Sequence, residues 1–409
     1  MSRSRGAPPN SRRSWNKRGN HNSRGAPRKH GANLEPDDPD IMRGLKEVPL
    51  EIVPVPLSVQ DDPNVMISET TFLGSYNWTA RSIPTIVVPG MPGRWLDRKP
   101  FQVDRDTGIC IVDQNTHRFM ESSLLPLLVA ADMNEEADTF DWAAVDFLTD
   151  RNALRKILRW TAAEGARDFR IDLQLAGKKT ILMTRWDNKT TEAFLGFTYG
   201  FNYFNACTSK GHPESTGHHR IINYVCKMNG LNMVVRYTVD GYLSGQAVSS
   251  VDDVADGIAS LNVSKERAQA TPVKGTSLHV IPFGEIVPQE SILEIATISK
   301  AREDQLDWDE KTPQLFLSQT YHFYLGLHDR GFFKQVRKEK FDQTKMSEKV
   351  RTNMKRLRRA LGLIQDVVFK YGQCGRLSLV CVGGTLKVYE RMSKDSTFLP
   401  DEQMQRFGV

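Results

Sequence analysis

Cysteine is scarce in this 409-residue chain: Cys110, Cys207, Cys226, Cys374 and Cys381 form an odd set with no CxxC spacing among them. A disulfide framework and a cysteine-built zinc site are thereby disfavoured, and a reducing compartment, nucleus or cytoplasm, is expected. Long apolar runs are lacking too. No stretch approaches eighteen uninterrupted apolar residues, so neither a membrane span nor a secretory leader is expected, and the chain reads as soluble with no membrane partner. A GxxxxGK phosphate loop, a GxSxG elbow and a helical DDxxD pair are also missing, which sets aside P-loop, serine-hydrolase and prenyl-diphosphate chemistry. Ala176-Gly177-Lys178-Lys179-Thr180 reads as a charged hairpin turn instead.

Acid is absent from residues 1–34, which carry nine Lys/Arg. Residues 330–359 carry twelve Lys/Arg against Glu339, Asp342 and Glu348, so each segment stands at +9 and the remainder at −12 for the whole to reach +6. Two basic segments on an acidic body point to localised contact with a phosphate backbone, and nucleic acid is the expected partner. Residues 1–45, built from Arg, Ser, Gly, Asn and Pro with little beyond Trp15 to bury, are expected to be a disordered Arg-Gly tail that can hold RNA. A solubilising leader or a targeting segment is the alternative, although the periodic apolar residues of an amphipathic presequence are lacking.

Residues 46–392 read as one large domain and residues 393–409 as a C-terminal tail. Apolar periodicity predicts helices over 121–133, 141–165, 191–206, 308–327 and 344–371. Alternation predicts strands over 169–175, 179–185, 220–227, 231–243, 277–283, 291–299, 331–338 and 376–390. The fold class is α/β in the mixed α+β sense, a central mixed sheet flanked by helices.

Two strands deliver carboxylates of the kind a metal-dependent nuclease uses. Val234-Val-Arg-Tyr-Thr-Val-Asp240 supplies one, and Ser291-Ile-Leu-Glu294-Ile-Ala supplies another. Paired carboxylates can hold Mg²⁺ or Mn²⁺, which activates water and neutralises a phosphodiester. Around them run Tyr76-Asn-Trp…Pro-Gly-x-Pro-x-x-Trp95, Asp150-Arg151-x-x-Leu-x-Lys-Ile-Leu158, Gly196-Phe-Thr-Tyr-Gly200, Tyr237-Thr-Val-Asp240, Leu293-Glu294-Ile-Ala296 and Leu317-Ser-Gln319-Thr-Tyr321. In this order and spacing they resemble the decapping exoribonuclease (DXO) family of RNA 5′-end nucleases, over residues 70 to 390. The resemblance implies a metal-dependent site with Asp240 and Glu294 as ligands and Arg151, Asp240, Glu294 and Gln319 as its catalytic set. It also implies that Gly200, Thr238 and Ala296 stand where the family has two glutamates and a lysine, which leaves a weakened site for Mg²⁺ or Mn²⁺. Asp252, Asp253, Asp256 and Lys300 lie outside motif spacing and read as solvated charges.

Arg185 and Arg236, on strands near this constellation, are candidate phosphate contacts, with ordinary ion pairing as the alternative. Lys355, Arg356 and Arg359 are further RNA-binding candidates on a basic helix whose apolar stripe is Val350, Met354, Leu357 and Leu361. Phe194, Phe197, Tyr199, Phe201, Tyr203 and Phe204 are expected to be mostly core, with base stacking as the other reading. His212, His218 and His219 lie between Cys207 and Cys226 in a polar loop at spacings that match no closed zinc pattern. The expected function is RNA binding near 5′ ends with impaired hydrolysis. An active metal-dependent decapping or pyrophosphohydrolase nuclease, and a scaffold stabilising a partner exoribonuclease, are the alternatives that the resemblance leaves open.

Overall fold

Short runs such as Phe147-Leu148 and Met233-Val234-Val235 have no polar face, which suits strands covered on both sides. They lie at the centre of the larger of two sheets in the computed structural model, which describes residues 40–67, 70–162, 167–224, 228–244, 269–392 and 398–408. The twelve strands run in the order Glu51–Val53, Thr385–Glu390, Leu377–Val382, Phe169–Ala176, Thr180–Trp186, Phe147–Asp150, Met233–Val239, Ser215–Tyr224, Thr70–Thr79, Thr85–Pro89, His279–Phe283 and Thr271–Pro272. Phe147–Asp150 pairs parallel with both neighbours and Thr85–Pro89 pairs parallel with His279–Phe283, so the sheet is mixed.

Neighbouring residues of the central strands serve opposite cores. Phe147, Ile222 and Val235 pack with helices Arg151–Thr161, Trp308–Ser318 and Glu348–Tyr371, whereas Leu148, Ile221 and Val234 pack with helix Leu125–Asp132. A second, five-stranded sheet, in the order Gly241–Tyr242, Ile292–Ser299, His322–Asp329, Phe332–Lys340 and Phe101–Gln102, abuts the end of Met233–Val239. A two-stranded ribbon, Ile109–Ile111 with Thr191–Ala193, stands apart from both.

Several expected elements are corrected. The helix expected over 141–165 is a strand at Phe147–Asp150 followed by a helix at Arg151–Thr161, because Phe147 and Leu148 are hydrogen-bonded between Met233–Val234 and Ile181–Leu182. The helix expected over 308–327 stops at Gln319, which takes a left-handed conformation (φ 48°), and His322–Asp329 pairs as a strand with Ile292–Ser299. The aromatic helix expected over 191–206 is confined to Gly200–Cys207. The expected tails are shorter than read: Ile41 and Leu45 pack on Val380 and Tyr389, and Phe398, Leu399 and Phe407 join the core beside Leu125–Asp132. The expected disorder of the tail's first 39 residues, and Cys226, Asp252, Asp253 and Asp256, lie outside the described residues. Among the described residues no helix is long and apolar enough to cross a membrane.

Gly74 marks a close approach of helix Leu125–Asp132 to the sheet, since a Cβ built there would stand 2.7 Å from the Ala130 carbonyl oxygen. Gly74→Ala is expected to push the helix off the sheet and lower stability by about 1–3 kcal/mol, read as a fall in urea midpoint at unchanged m-value.

Candidate functional site

A cleft of about 250 Å³ opens where the parallel strands Phe147–Asp150 and Met233–Val239 end and helix Arg151–Thr161 begins. The end of a parallel strand frees the next residues from the ladder, so Asp150, Arg151, Asn152, Tyr237 and Thr238 can all face it. Its opposite wall is Val112–Asn115, with Arg185 and His219 rising from strands of the large sheet and Glu294 and Gln314 from beyond Thr238.

The floor is an ion pair. Arg236 and Asp150 are register partners on adjacent strands, and the guanidinium donates from Nε and Nη2 to the carboxylate at 2.6 and 2.9 Å. Nη1 donates to Tyr76 Oη at 3.1 Å and to the Ser123 carbonyl at 2.7 Å. Arg236 is 0% exposed, so the expected phosphate contact there is corrected: all three of its nitrogens already serve the fold. Burial would lower its pKa, but Asp150 and Tyr76 outweigh that and raise it, so it stays charged.

Arg151 and Glu294 come together above this floor. Arg151 donates from Nη1 to Glu294 Oε2 at 3.2 Å and to Ser318 Oγ at 3.1 Å, with its guanidinium 5.5 Å from the Tyr237 ring centroid. Its Nε and Nη2 find no protein acceptor among the described residues. The second oxygen of Glu294, Oε1, accepts from Gln314 Nε2. Gln314 and Ser318 are four apart on helix Trp308–Ser318 and so share one face, a spacing that could have identified them in the sequence. Gln319, the glutamine expected here, does not line the cleft; its side chain donates back to the Phe316 carbonyl and closes the helix end.

Asp240 also stands off the cleft. It caps the edge of the strand bearing Glu294, where Oδ2 accepts from the Ile295 amide at 2.8 Å. Burial, reinforced by the negative charge of Glu294, pushes its pKa from 3.8 up to about 7. Gly200 opens its helix beside Thr297, and Ala296 packs towards Leu315, Phe323 and Leu325; neither lines the cleft, whereas Thr238 does.

Arg185 lines the cleft but is paired with Asp187 and, at 3.4 Å, with Asp113. Arg155, which the sequence did not single out, reaches the cleft while bonded to Glu310. Two further lining groups went unforeseen: Asn152 Oδ1 and His219 Nδ1 are buried polar atoms with no partner among the described residues. Such atoms are ordinarily satisfied by water or ligand. His219 stacks on Tyr76 with centroids 5.0 Å apart, and burial, then Arg236, holds its pKa well below the ordinary range, so it is neutral. His218 bonds Asn77 instead, and both lie in strand Ser215–Tyr224, which corrects the expected polar loop.

The basic helix Glu348–Tyr371 contributes nothing to this cleft. Lys355 donates to the Gln60 carbonyl, Arg359 pairs with Asp62, and Arg356 is half-buried; Lys355 and Arg359 line a separate depression with Pro63 and Asn229. Lys355 and Arg359 fasten the 60–63 segment, a structural use that the charge count could not distinguish from RNA contact.

The donor set does not fit Mg²⁺ or Mn²⁺. A carboxylate ligand must be deprotonated and have a lone pair to give. Asp240 stands off the cleft with Oδ2 bonded to an amide and its pKa raised by burial, and both oxygens of Glu294 are engaged by Arg151 and Gln314. Among the described residues no group of three or more His, Cys, Asp or Glu is suitably placed for a metal ion.

The raised pKa of Asp240 makes a stability prediction. The native state binds this proton more tightly than the unfolded chain does, so the favourable contribution is complete below about pH 4 and is lost as pH rises to about 7. Asp240→Asn keeps an acceptor for Ile295 without the charge, and is expected to remove that decline, on the order of a few kcal/mol, in urea unfolding across pH 4–8. An unchanged pH profile would place the titration elsewhere.

Comparison with known proteins agrees with the architecture. Residues 50–407 match a family described as a domain of unknown function, DUF8563. No curated protein matches in sequence. Among solved structures, Rai1 of Candida albicans in complex with pU5 and Mn²⁺ is 10% identical, with a TM-score of 0.51 over 87% of this chain and 99% of that one. Rai1 of S. pombe in complex with 3′-FADP (12%, TM-score 0.49, 82% and 98%) and Dxo1 of K. lactis in complex with manganese (10%, TM-score 0.46, 82% and 93%) also match. With its mixed sheet, flanking helices and strand-end cleft, the chain belongs to the DUF8563 family and has a fold like that of Candida albicans Rai1.

Proposed function

We propose that this protein binds the phosphate-bearing 5′ end of single-stranded RNA in the Arg151 cleft and does not hydrolyse it. The observation that carries the reading is the Arg151–Glu294–Gln314 arrangement. A guanidinium of the protein itself neutralises the carboxylate that would otherwise attract a divalent cation, and two of its nitrogens remain for a phosphate oxygen. Asn152 and His219 supply unpartnered polar atoms on the same walls. The structure of like fold solved with pU5 supports an RNA ligand, and among the described residues no group of three or more His, Cys, Asp or Glu is placed to hold a metal ion. Hydrolysis would need a base beside the bound phosphate. His219 is neutral but wedged against Tyr76, and Asp240, whose pKa suits a base, does not line the cleft.

Fluorescence anisotropy with a 5′-phosphorylated oligoribonucleotide, run with Mn²⁺ and with EDTA, tests this. Equal affinity in both and no cleavage above the EDTA control are expected. Arg151→Gln combined with Glu294→Gln, which removes the pair without stranding either charge, is expected to lower affinity about tenfold or more and reduce the salt slope by about 0.7. Glu294→Gln alone is expected to keep or raise affinity. Mn²⁺-dependent cleavage that disappears in Asp240→Asn with Glu294→Gln would instead establish a working nuclease.

A further inference from the structure

Of the six aromatic residues expected to be mostly core, only Tyr203 is buried. Phe197 is 79% exposed, Phe201 50%, and Leu195 between the strand and the helix 83%. Phe194 packs against Phe201 with centroids 5.5 Å apart, and the Arg105 guanidinium lies over the Phe197 ring at 4.4 Å. Apolar groups this exposed are usually on loose loops, but this segment is pinned. Asp106, 2% exposed, accepts from the amides of Phe201 and Asn202 at 3.3 and 2.9 Å. The Asp106 amide donates to the Thr198 carbonyl at 2.8 Å, and the Phe194 amide to the Gly108 carbonyl at 3.1 Å. The fold therefore fixes a set of rings facing water.

A two-stranded ribbon links the patch to the cleft. Ile109–Ile111 pairs with Thr191–Ala193, and the next residue, Val112, donates to the Thr190 carbonyl at 2.8 Å and lines the cleft with Asp113. Two residues, Cys110 and Ile111, lie between Val112 and Ile109, so the ribbon end beside Ala193 stands three strand steps, about 10 Å, from Val112. Its size also decides what it can hold. Three side chains of at most about 250 Å² each fall short of the roughly 800 Å² per partner that a stable protein interface buries, whereas one nucleobase needs one ring face.

We infer that Phe197 and Phe201 form a stacking platform for the unpaired bases that follow the RNA end held in the cleft. The inference rests on the RNA reading above and adds where the strand runs after the first nucleotides. Stacking on such rings is tolerant of sequence because every base has a π-face, so the platform extends the contact without selecting bases. Arg105 strengthens it by pairing a cation with the ring.

The test compares 5′-phosphorylated RNAs of two and eight nucleotides by anisotropy. Wild type is expected to bind the octamer more tightly than the dimer. Phe197→Ala with Phe201→Ala is expected to weaken the octamer about tenfold to a hundredfold, leave the dimer unchanged and keep the salt slope, since no charge is removed. Phe197→Tyr should keep the affinity that Phe197→Ala loses and Phe197→Leu should not, because leucine is apolar without a π-face. Undiminished octamer binding by the double alanine variant, or full function of Phe197→Leu, overturns the platform while leaving the cleft reading intact. Failure of wild type to bind either RNA overturns both. Thermal unfolding of each variant checks that the exposed substitutions leave the fold unchanged.

Discussion

The buried pair of Arg236 and Asp150 is the constraint on which the rest of the cleft depends. It joins two parallel strands at the point where one becomes a helix, and it does so with no exposed guanidinium surface. An uncompensated charge there would cost several kcal/mol, so the pair must form for the strands to lie in register. The same guanidinium grips Tyr76 from the neighbouring part of the sheet and the carbonyl of Ser123 ahead of helix Leu125–Asp132. Tyr76 in turn donates to Asn115, which also receives the Trp78 indole N–H. One arginine thus ties Asp150 and, through Tyr76, Asn115 of the cleft wall to the turn before helix Leu125–Asp132, and the energies of these contacts are coupled rather than additive.

Much of this architecture was legible in the sequence, and the failures are instructive. The hairpin at Phe169–Trp186 and the long helix Glu348–Tyr371 were readable because Phe169–Leu175 alternates apolar and polar residues around a Gly turn and the helix carries one apolar stripe. The strand Phe147–Asp150 was not, because Val145-x-Phe147-Leu148 is too short to separate buried strand from helix by periodicity. Gln319 was misplaced because the left-handed stop of its helix leaves no pattern in Leu-Ser-Gln-Thr-Tyr. Of the residues that line the cleft, Arg151, Glu294 and Thr238 are named in the motifs, while Arg155, Asn152 and His219 carry no local signal; only the packing of distant strands brings them to one cavity.

Charge patterning was the least transferable guide. Two +9 segments suggested where phosphate would go, yet on helix Glu348–Tyr371 several cations are tied to carbonyls and carboxylates of their own chain. The cleft owes its character to fewer charges, four arginines facing three carboxylates, with the balance decided by which nitrogen atoms are already bonded. Donor accounting therefore discriminates better than net charge.

The strand Ile292–Ser299 presents Glu294 to the cleft, Ile295 to the cluster around Tyr203 and Phe333, and Ala296 to the cluster around Leu315 and Phe323. This limits what Ala296 and Gly200 can be replaced by. Once Ala296 has been absorbed into apolar packing and Gly200 has closed to within 3.2 Å of Thr297, as judged by the space a Cβ would take, a charged side chain at either position must first be accommodated by its neighbours. Successive residues of one strand therefore report on separate compartments of the molecule: a substitution at Glu294 is read in the cleft, and one at Ile295 or Ala296 in the apolar packing on either side of the sheet.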